Sequence, residues 1–377
     1  MNQDEQARRQ MIIALYEIPG IGWHAIDKAV KHSLWRRDCW TVEELLAIGL
    51  KPKQAESAVR LYQEQPWKLA TGESAAVRAA HAVVLTPTDQ RYPDILRQIA
   101  QPPWVLYARG RLELLDRPAA AIVGTRVPTA YGRHAAAAFA LELSRSGLTV
   151  VSGLAKGVDA ITHEAALKGA GSTIAVLPTP IDTCYPPENE SLFRRIARDG
   201  LILSETPIGT KLHPGQFHQR NRIIAALSRA TIVVEGARRS GSLITANHAF
   251  QMDRELFALP GPITSPKSEG PNDLIREGMA RIMTEASQVY EELPWLQEQS
   301  KRYVDSQGGS EPQSPGLNVP LSAEESRIIA FLRDQPLSIN ELHELSAIPF
   351  GHLNALLLNL CIKRKIELQP GSIYIAL

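Results

Sequence analysis

The chain has 377 residues, 44% of them apolar, with a formal net charge of +1. That length allows roughly two to three domains of ~150 residues with ordinary globular cores, and the near-zero charge means that any surface for an anionic partner must be local. Three distant cysteines (Cys39, Cys184, Cys361) without Cys-x-x-Cys spacing exclude a disulfide framework or zinc site and read as buried thiols of a reducing cytoplasm. No apolar run approaches the ~20 residues that cross a bilayer, and the polar start MNQDEQARRQ has no signal segment, so a soluble cytoplasmic protein is expected.

Residues 1–75 are predicted to be a helical domain. Met11, Ile12, Leu15 and Ile18 share one helical face, and Ile18-Pro19-Gly20-Ile21-Gly22 turns the chain into a second amphipathic run over 23–30. The string resembles the turn of a helix-hairpin-helix, whose glycines let backbone N–H groups approach a DNA phosphate. A plain turn in a small bundle is an equal alternative. Ile48-Gly49-Leu50-Lys51-Pro52 is a weaker second copy. From 82 to 107, short apolar runs and prolines favour extended geometry and read as a lead-in to the next domain.

Residues 76–295 form the predicted core. Strand cores at 121–123, 148–151, 173–177, 201–203, 232–234 and 256–259 are continuous apolar runs, as in strands covered on both faces. Helical segments at 131–146, 157–168, 189–198, 216–227 and 243–252 alternate with them. This pattern predicts an α/β class, Rossmann-like, doubly wound and mostly parallel, with ligands outside the carboxyl ends of the strands. Residues 296–320 are polar and rich in Gly, Ser and Pro, the composition of a linker. Residues 321–377 recover helical periodicity, with a capping box at Ser322 and Glu325, further helices over 338–345 and 352–360, and a hairpin around Pro370-Gly371. That is a winged-helix arrangement. Its recognition helix is mostly Leu and Asn, with Lys363, Arg364 and Lys365 only at its end. A protein contact or weak DNA role is therefore favoured over sequence-specific readout.

The chemistry gathers in loops after strand ends. Gly124-Thr125-Arg126 combines close backbone approach, a hydroxyl and a bidentate fork for phosphate. Ser152 and Gly153 follow the next strand and lead to Lys156, and Ser240-Gly241-Ser242 opens a helix whose free N–H groups suit an anion. Arg220, Asn221 and Arg222 stand near another helix start. Together the loops supply donors and positive charge with no accompanying acid cluster. Gly124 and Gly132 do not make the dinucleotide fingerprint, and 236–242 has Walker glycine spacing but Ser242 in place of the lysine. Asp159 and His163, four residues apart, could pair or hold a metal; a helix-surface or capping role is favoured. Glu205 and Glu235 at strand ends could act as acids or bases, but no nucleophile accompanies them and no catalytic constellation emerges.

Several strings follow one family in order: Gly124-Thr125-Arg126 with Tyr131-Gly132, Ser152 to Ala155 with Gly157-Val158-Asp159 and His163, Tyr185-Pro186 with Asn189, Ser204-Glu205, Arg220 to Ile224 with Ser228, Ser240 to Ala246, Pro260-Gly261, and Asn272 with Leu274-Ile275. Over residues 80–290 the chain resembles the DprA/Smf family of DNA-processing proteins. The resemblance implies an extended Rossmann-like core that binds single-stranded DNA in a basic pocket, dimerises and loads the RecA recombinase in natural transformation and recombination. It implies no catalytic activity and no cofactor. Carried to matching positions, Arg126, Lys156, Arg220, Asn221 and Arg222 are phosphate contacts, with Ser240, Gly241 and Ser242 beside them and dimerisation around 275–283. Two departures from the family pattern are Pro178-Thr179-Pro180, where glycines are usual, and Pro271. The runner-up is a nucleotide-binding enzyme on a Rossmann-like sheet, such as a phosphoribohydrolase, whose Pro-Gly-Gly-x-Gly-Thr-x-x-Glu string is missing. A transcription regulator led by the winged helix lacks a basic recognition helix.

Overall fold

The computed structural model describes residues 2–37, 39–64, 74–299, 322–362, 365–369 and 373–376. Most of the expected linker (300–320), Lys363 and Arg364, and the hairpin turn Pro370-Gly371 lie outside the described residues. The chain divides into two compact units, 1–308 and 309–377.

In the first unit, four helices come first: α1 (Gln3–Glu17), α2 (Trp23–Lys31), α3 (Val42–Ala47) and α4 (Pro52–Glu64), with α5 (Ala75–Ala79) leading into the sheet. Strand β1 (Val83–Leu85), helix α6 (Asp94–Arg97) and strand β2 (Leu106–Gly110) follow. Then β3 (Ala119–Val123), α7 (Ala130–Arg145), β4 (Thr149–Ser152), α8 (Val158–Ala166), β5 (Thr173–Leu177), α9 (Glu190–Asp199) and β6 (Leu201–Ser204) alternate. The rest is α10 (Gly215–Leu227), β7 (Ala230–Val233), α11 (Gly241–Gln251), β8 (Glu255–Ala258), α12 (Glu269–Arg276), β9 (Arg281–Ile282) and α13 (Gln288–Glu292).

The nine strands lie in the order β1-β2-β6-β5-β4-β3-β7-β8-β9. From β6 to β9 all neighbours are parallel, whereas β2 joins β6, and β1 joins β2, antiparallel. The lead-in segment is thus part of the sheet, which it extends at one edge. The winding leaves β3 in one direction through β4, β5 and β6, then returns to the other flank of β3 for β7, β8 and β9. A doubly wound sheet places its crevice at such a reversal.

Every residue of β3 to β7 is buried. Alternation divides them between two cores. Ala119, Ala121 and Val123 pack with Ile223, Ala226, Ala246 and Leu274 on one face. Ala120 and Ile122 pack with Ala136, Phe139, Leu143 and Val158 on the other. The amino-terminal helices share a third core with the β1, β2, β5 and β6 side of the sheet, including Trp104, Tyr107, Ala175, Leu177 and Ile202. Polar ties reinforce that docking: Arg9 pairs with Asp89 at 3.0 Å, and Trp23 Nε1–H donates to the Pro102 carbonyl at 2.7 Å. Cys39 is exposed on the loop before α3, contrary to a buried thiol, and Cys184 is half-buried. Among the described residues no helix is long and apolar enough to cross a membrane.

The second unit holds helices Ala323–Asp334, Ile339–Ser346 and Phe350–Ile362 and the antiparallel strands β10 (Leu337–Ser338), β11 (Ile366–Gln369) and β12 (Ile373–Ala376). It is a winged helix around Ile328, Leu342, Leu353, Leu357 and Leu360. The capping box forms: Ser322 Oγ accepts the Glu325 N–H at 3.1 Å, and Glu325 accepts the Ser322 N–H at 2.8 Å.

Gly110 ends β2 at φ +116°, where a Cβ would collide with the Gly200 carbonyl oxygen beside β6. Gly110→Ala is expected to lower the unfolding free energy in urea by at least about 1–3 kcal/mol, the cost of a strained backbone. A wild-type midpoint would contradict this close approach.

Candidate functional site

The loops after β3 and β4 interlock. Gly157, at φ +77°, packs so closely that a Cβ there would lie 2.5 Å from the carbonyl oxygens of Thr125 and Arg126. The Val158 N–H donates to the Thr125 carbonyl at 3.1 Å, and a Cβ on Gly124 would sit 2.7 Å from Val158 Cγ2. Arg126 is exposed on this edge and makes no ion pair among the described residues. Its guanidinium stands 5.7 Å from the centre of the Phe217 ring on α10. Phe217 meets Tyr185 edge-on at 5.5 Å. A cation over an aromatic ring at the surface is held by about 0.5–1 kcal/mol, enough to orient it while its N–H groups stay available. Lys156, on the same edge, pairs with Glu188, both side chains being more than half exposed. Such a pair is weak and exchangeable.

Arg220 lies beneath this edge. Its guanidinium is buried, and Nη1 donates to the carbonyl oxygens of Gly153, at 2.5 Å, and Val176, tying the end of β5 to the loop after β4. A Cβ on Gly153 would lie 2.6 Å from that nitrogen. Burial pulls the Arg220 pKa down to about 10 against the opposing pull of Asp159. Asp159 accepts the N–H groups of Gly153 (3.1 Å) and Ala155 (3.3 Å), and burial raises its pKa against the attraction of Arg220. The Leu154 N–H donates to His163 Nε2 at 3.2 Å. Thr173 Oγ1 gives its proton to the Val150 carbonyl at 2.6 Å, so His163 Nδ1–H donates to that oxygen at 2.7 Å. Asp159 and His163 are therefore not on a helix surface. They hold Leu154 in its left-handed conformation, φ +56°. Ser152 is buried, its Oγ donating to the Ile122 carbonyl at 2.7 Å.

The other expected residues separate. Arg222 points away from this edge: Nη2 donates to both carboxylate oxygens of Glu205 (2.6 and 2.7 Å) and Nη1 to the Gln101 carbonyl (2.9 Å). Burial raises the Glu205 pKa, with Arg222 opposing. Asn221 Nδ2 donates to the Gly241 carbonyl at 3.2 Å, joining α10 to the start of α11. There Ser240 Oγ caps the helix from the Ser242 N–H at 3.4 Å, and the two hydroxyls lie 2.9 Å apart. The Pro178-Thr179-Pro180 loop is buried and tied to the end of β6 by Ser204 Oγ, which donates to the Thr179 carbonyl at 2.6 Å. Phe217 and Arg239, the latter exposed on the loop after β7, were absent from the expected set. The available signal for Phe217 was its position three residues before Arg220 on one helix, which places both on one face.

Single carboxylates do stand at this side of the sheet, Glu205, Glu188 and above all Glu235, each already engaged. Glu235 follows β7, is 2% exposed, and accepts the Thr129 N–H at 2.9 Å and the Thr129 hydroxyl at 2.5 Å. Gly132 is required beside it, since a Cβ would collide with Glu235 Oε2. A carboxylate thus occupies the amino terminus of α7. That terminus, after the first strand of the winding, is where a dinucleotide fold seats its phosphate. A nucleotide phosphate seated there would meet that carboxylate. Among the described residues no group of three His, Cys, Asp or Glu could hold a metal.

Burial pulls the His163 pKa down to about 3, with Arg220 adding to it. As pH falls below the ordinary value near 6.5, the unfolded chain binds a proton that the folded chain refuses, so stability is complete above that value and declines towards pH 3. The loss reaches up to about 1.4 kcal/mol per pH unit. Urea unfolding between pH 7 and 5 should show a steeper decline in wild type than in His163→Gln, whose amide oxygen can still accept the Leu154 N–H. Equal slopes would show that His163 titrates normally.

A family model described as DNA recombination-mediator protein A matches residues 83–294, and one for the DprA winged helix domain matches 312–372. The chain is similar to Protein Smf of Synechocystis sp., 38% identical over 315 residues covering 77% of this chain and 79% of that protein. It is 42% identical over 221 residues to the DNA processing protein DprA of Bacillus subtilis, covering 58% and 74%. The X-ray structure of DNA processing protein A from Streptococcus pneumoniae superposes with a TM-score of 0.65 at 33% identity, covering 75% of this chain and 97% of that one. A structure concerned with the single-stranded DNA binding mode of DNA processing protein A from Helicobacter pylori gives 0.52 at 35% identity, covering 57% and 98%. With the family model spanning over half its length, the chain belongs to the DNA recombination-mediator protein A family, the DprA/Smf proteins.

Proposed function

We propose that this protein is a non-catalytic single-stranded DNA binder that protects incoming DNA in transformation and recombination and loads RecA. The observation that carries the proposal is the exposed Arg126, without an ion pair among the described residues, standing over Phe217 on an edge built from glycine-tight loops. Phosphates engage Arg126 and Lys156, and an unstacked base finds the Phe217 and Tyr185 rings. A duplex keeps its bases stacked away from such a platform. The carboxylates that could serve catalysis, Glu205, Glu235 and Asp159, are instead consumed by Arg222, Thr129 and loop N–H groups. The single-strand binding mode of the Helicobacter pylori relative supports the choice of ligand.

Salt dependence separates direct contacts from props. Each lost phosphate contact should reduce the slope of log affinity against log salt by about 0.7 for a single strand. Arg126→Ala and Lys156→Ala are expected to lose affinity on any sequence together with that slope. Arg220→Gln is expected to lose affinity with the slope unchanged, because its guanidinium holds carbonyls beneath the edge. Comparable wild-type affinity for duplex and single strand, or unchanged affinity in both alanine variants, would overturn the proposal.

The family likeness also supports a homodimer through the 275–283 region. There β9 is the edge of the sheet, and Ile282 is 51% exposed. Ile282→Arg is expected to give a monomer by light scattering at micromolar concentration and to slow RecA assembly on coated single strands. A monomeric wild type, or one that leaves RecA assembly unchanged, would remove the corresponding claim.

A further inference from the structure

A cavity of about 640 Å³ opens between the hairpin at 18–22 and the first turns of α10. Ile18, Gly20 and Trp23 line one side, and Leu177, Gln219 and Lys211 line the other. We propose that this cleft is a second subsite for the same single strand, receiving the nucleotides next to those held at Arg126. The inference rests on the single-strand reading of the loop edge.

The cleft and that edge share a wall. Phe217 carries Arg126 on one flank of α10, while Gln216, Gln219 and Arg220 of the same turns line the cleft. Arg220 also supports the loop after β4 through the Gly153 carbonyl. A strand leaving the Phe217 and Tyr185 rings reaches the cleft by passing round the same turns of α10.

The lining suits bases. The volume falls in the ~300–1,000 Å³ range of small-ligand sites, room for on the order of one or two nucleotides. Lys211 and Gln219 are exposed and make no side-chain bond among the described residues, so a cation and an amide with both donor and acceptor face the opening. Trp23 supplies an apolar plane held in place by its bond to Pro102. Of the two carboxylates present, Glu205 is engaged by Arg222, and Glu17 stands at the rim. Glu17 disfavours a phosphate there, which sets the backbone along Lys211 and turns the bases towards the hairpin. The Gly20 turn, at φ +83°, is what brings the hairpin over the cleft.

The test uses the whole chain with oligothymidylates of increasing length, and the same strands bearing 5-iodouracil for photo-cross-linking. Wild-type affinity should rise with length until both subsites are filled, within the ~4–16 nucleotides of such sites, and the long strand should cross-link to the peptide containing Trp23. Lys211→Glu and Gln219→Glu, both surface changes that place a negative charge beside the strand backbone, should remove about tenfold of the long-strand affinity and leave the shortest bound strand unaffected. Wild-type binding with no Trp23 cross-link, or variants that follow the wild-type length curve, would overturn the second subsite alone. Absence of wild-type binding at every length would overturn the single-strand reading itself.

Discussion

A guanidinium removed from water is tolerated only where its N–H groups and its charge are both matched. Arg220 meets that demand with the carbonyls of Gly153 and Val176 and with the field of Asp159. Those same bonds determine where the loop after β4 can lie. Gly153 is needed because any side chain would strike the guanidinium, and Leu154 takes a left-handed backbone because Asp159 and His163 accept the N–H groups around it. The loop after β3 is then positioned by Gly157. One buried cation thus sets the shape of the surface on which Arg126 and Lys156 stand.

A second constraint acts at the reversal of the winding. The amino terminus of α7 presents N–H groups and a positive dipole end to whatever lies after β3 and β7. In a nucleotide-binding sheet that is a phosphate of the ligand. Here it is Glu235 of the chain itself, backed by Gly132. An internal anion stabilises the helix and removes the seat for a nucleotide's phosphate. What remains exposed beside it is the edge of loops that carries Arg126 and Lys156.

The amino-terminal helices belong to the same assembly. Their core continues into the faces of β1, β2, β5 and β6, and the pair of Arg222 with Glu205 lies where Tyr16 of α1 donates to the Glu205 carbonyl. An ion pair with both side chains less than a fifth exposed is costly to break once buried. Arg222 therefore joins α10 to the lead-in segment and helps hold the hairpin over the carboxyl edge of the sheet.

Much of this was legible in the residues. Continuous apolar runs separated by helical periods determined the parallel sheet, its two covering layers and the strand ends from which the loops emerge. Ser322 with Glu325 marked a helix start, and Gly124 after β3 marked close approach. These are local or periodic properties, and they survive without knowledge of neighbours. The sequence could not say which cations face solvent, because Arg126, Arg220 and Arg222 are the same residue type in the same kind of place. Burial separates them: one stands over Phe217, one is sealed between loops, and one is paired with Glu205. Nor could it pair Glu235 with Thr129, 106 positions apart, or close a cleft between residues 18–22 and 216–219. Composition and period determined the sheet and its loops. Only the tertiary packing decided which charges were spent inside the protein and which were left facing solvent, because desolvation depends on neighbours distant in the chain.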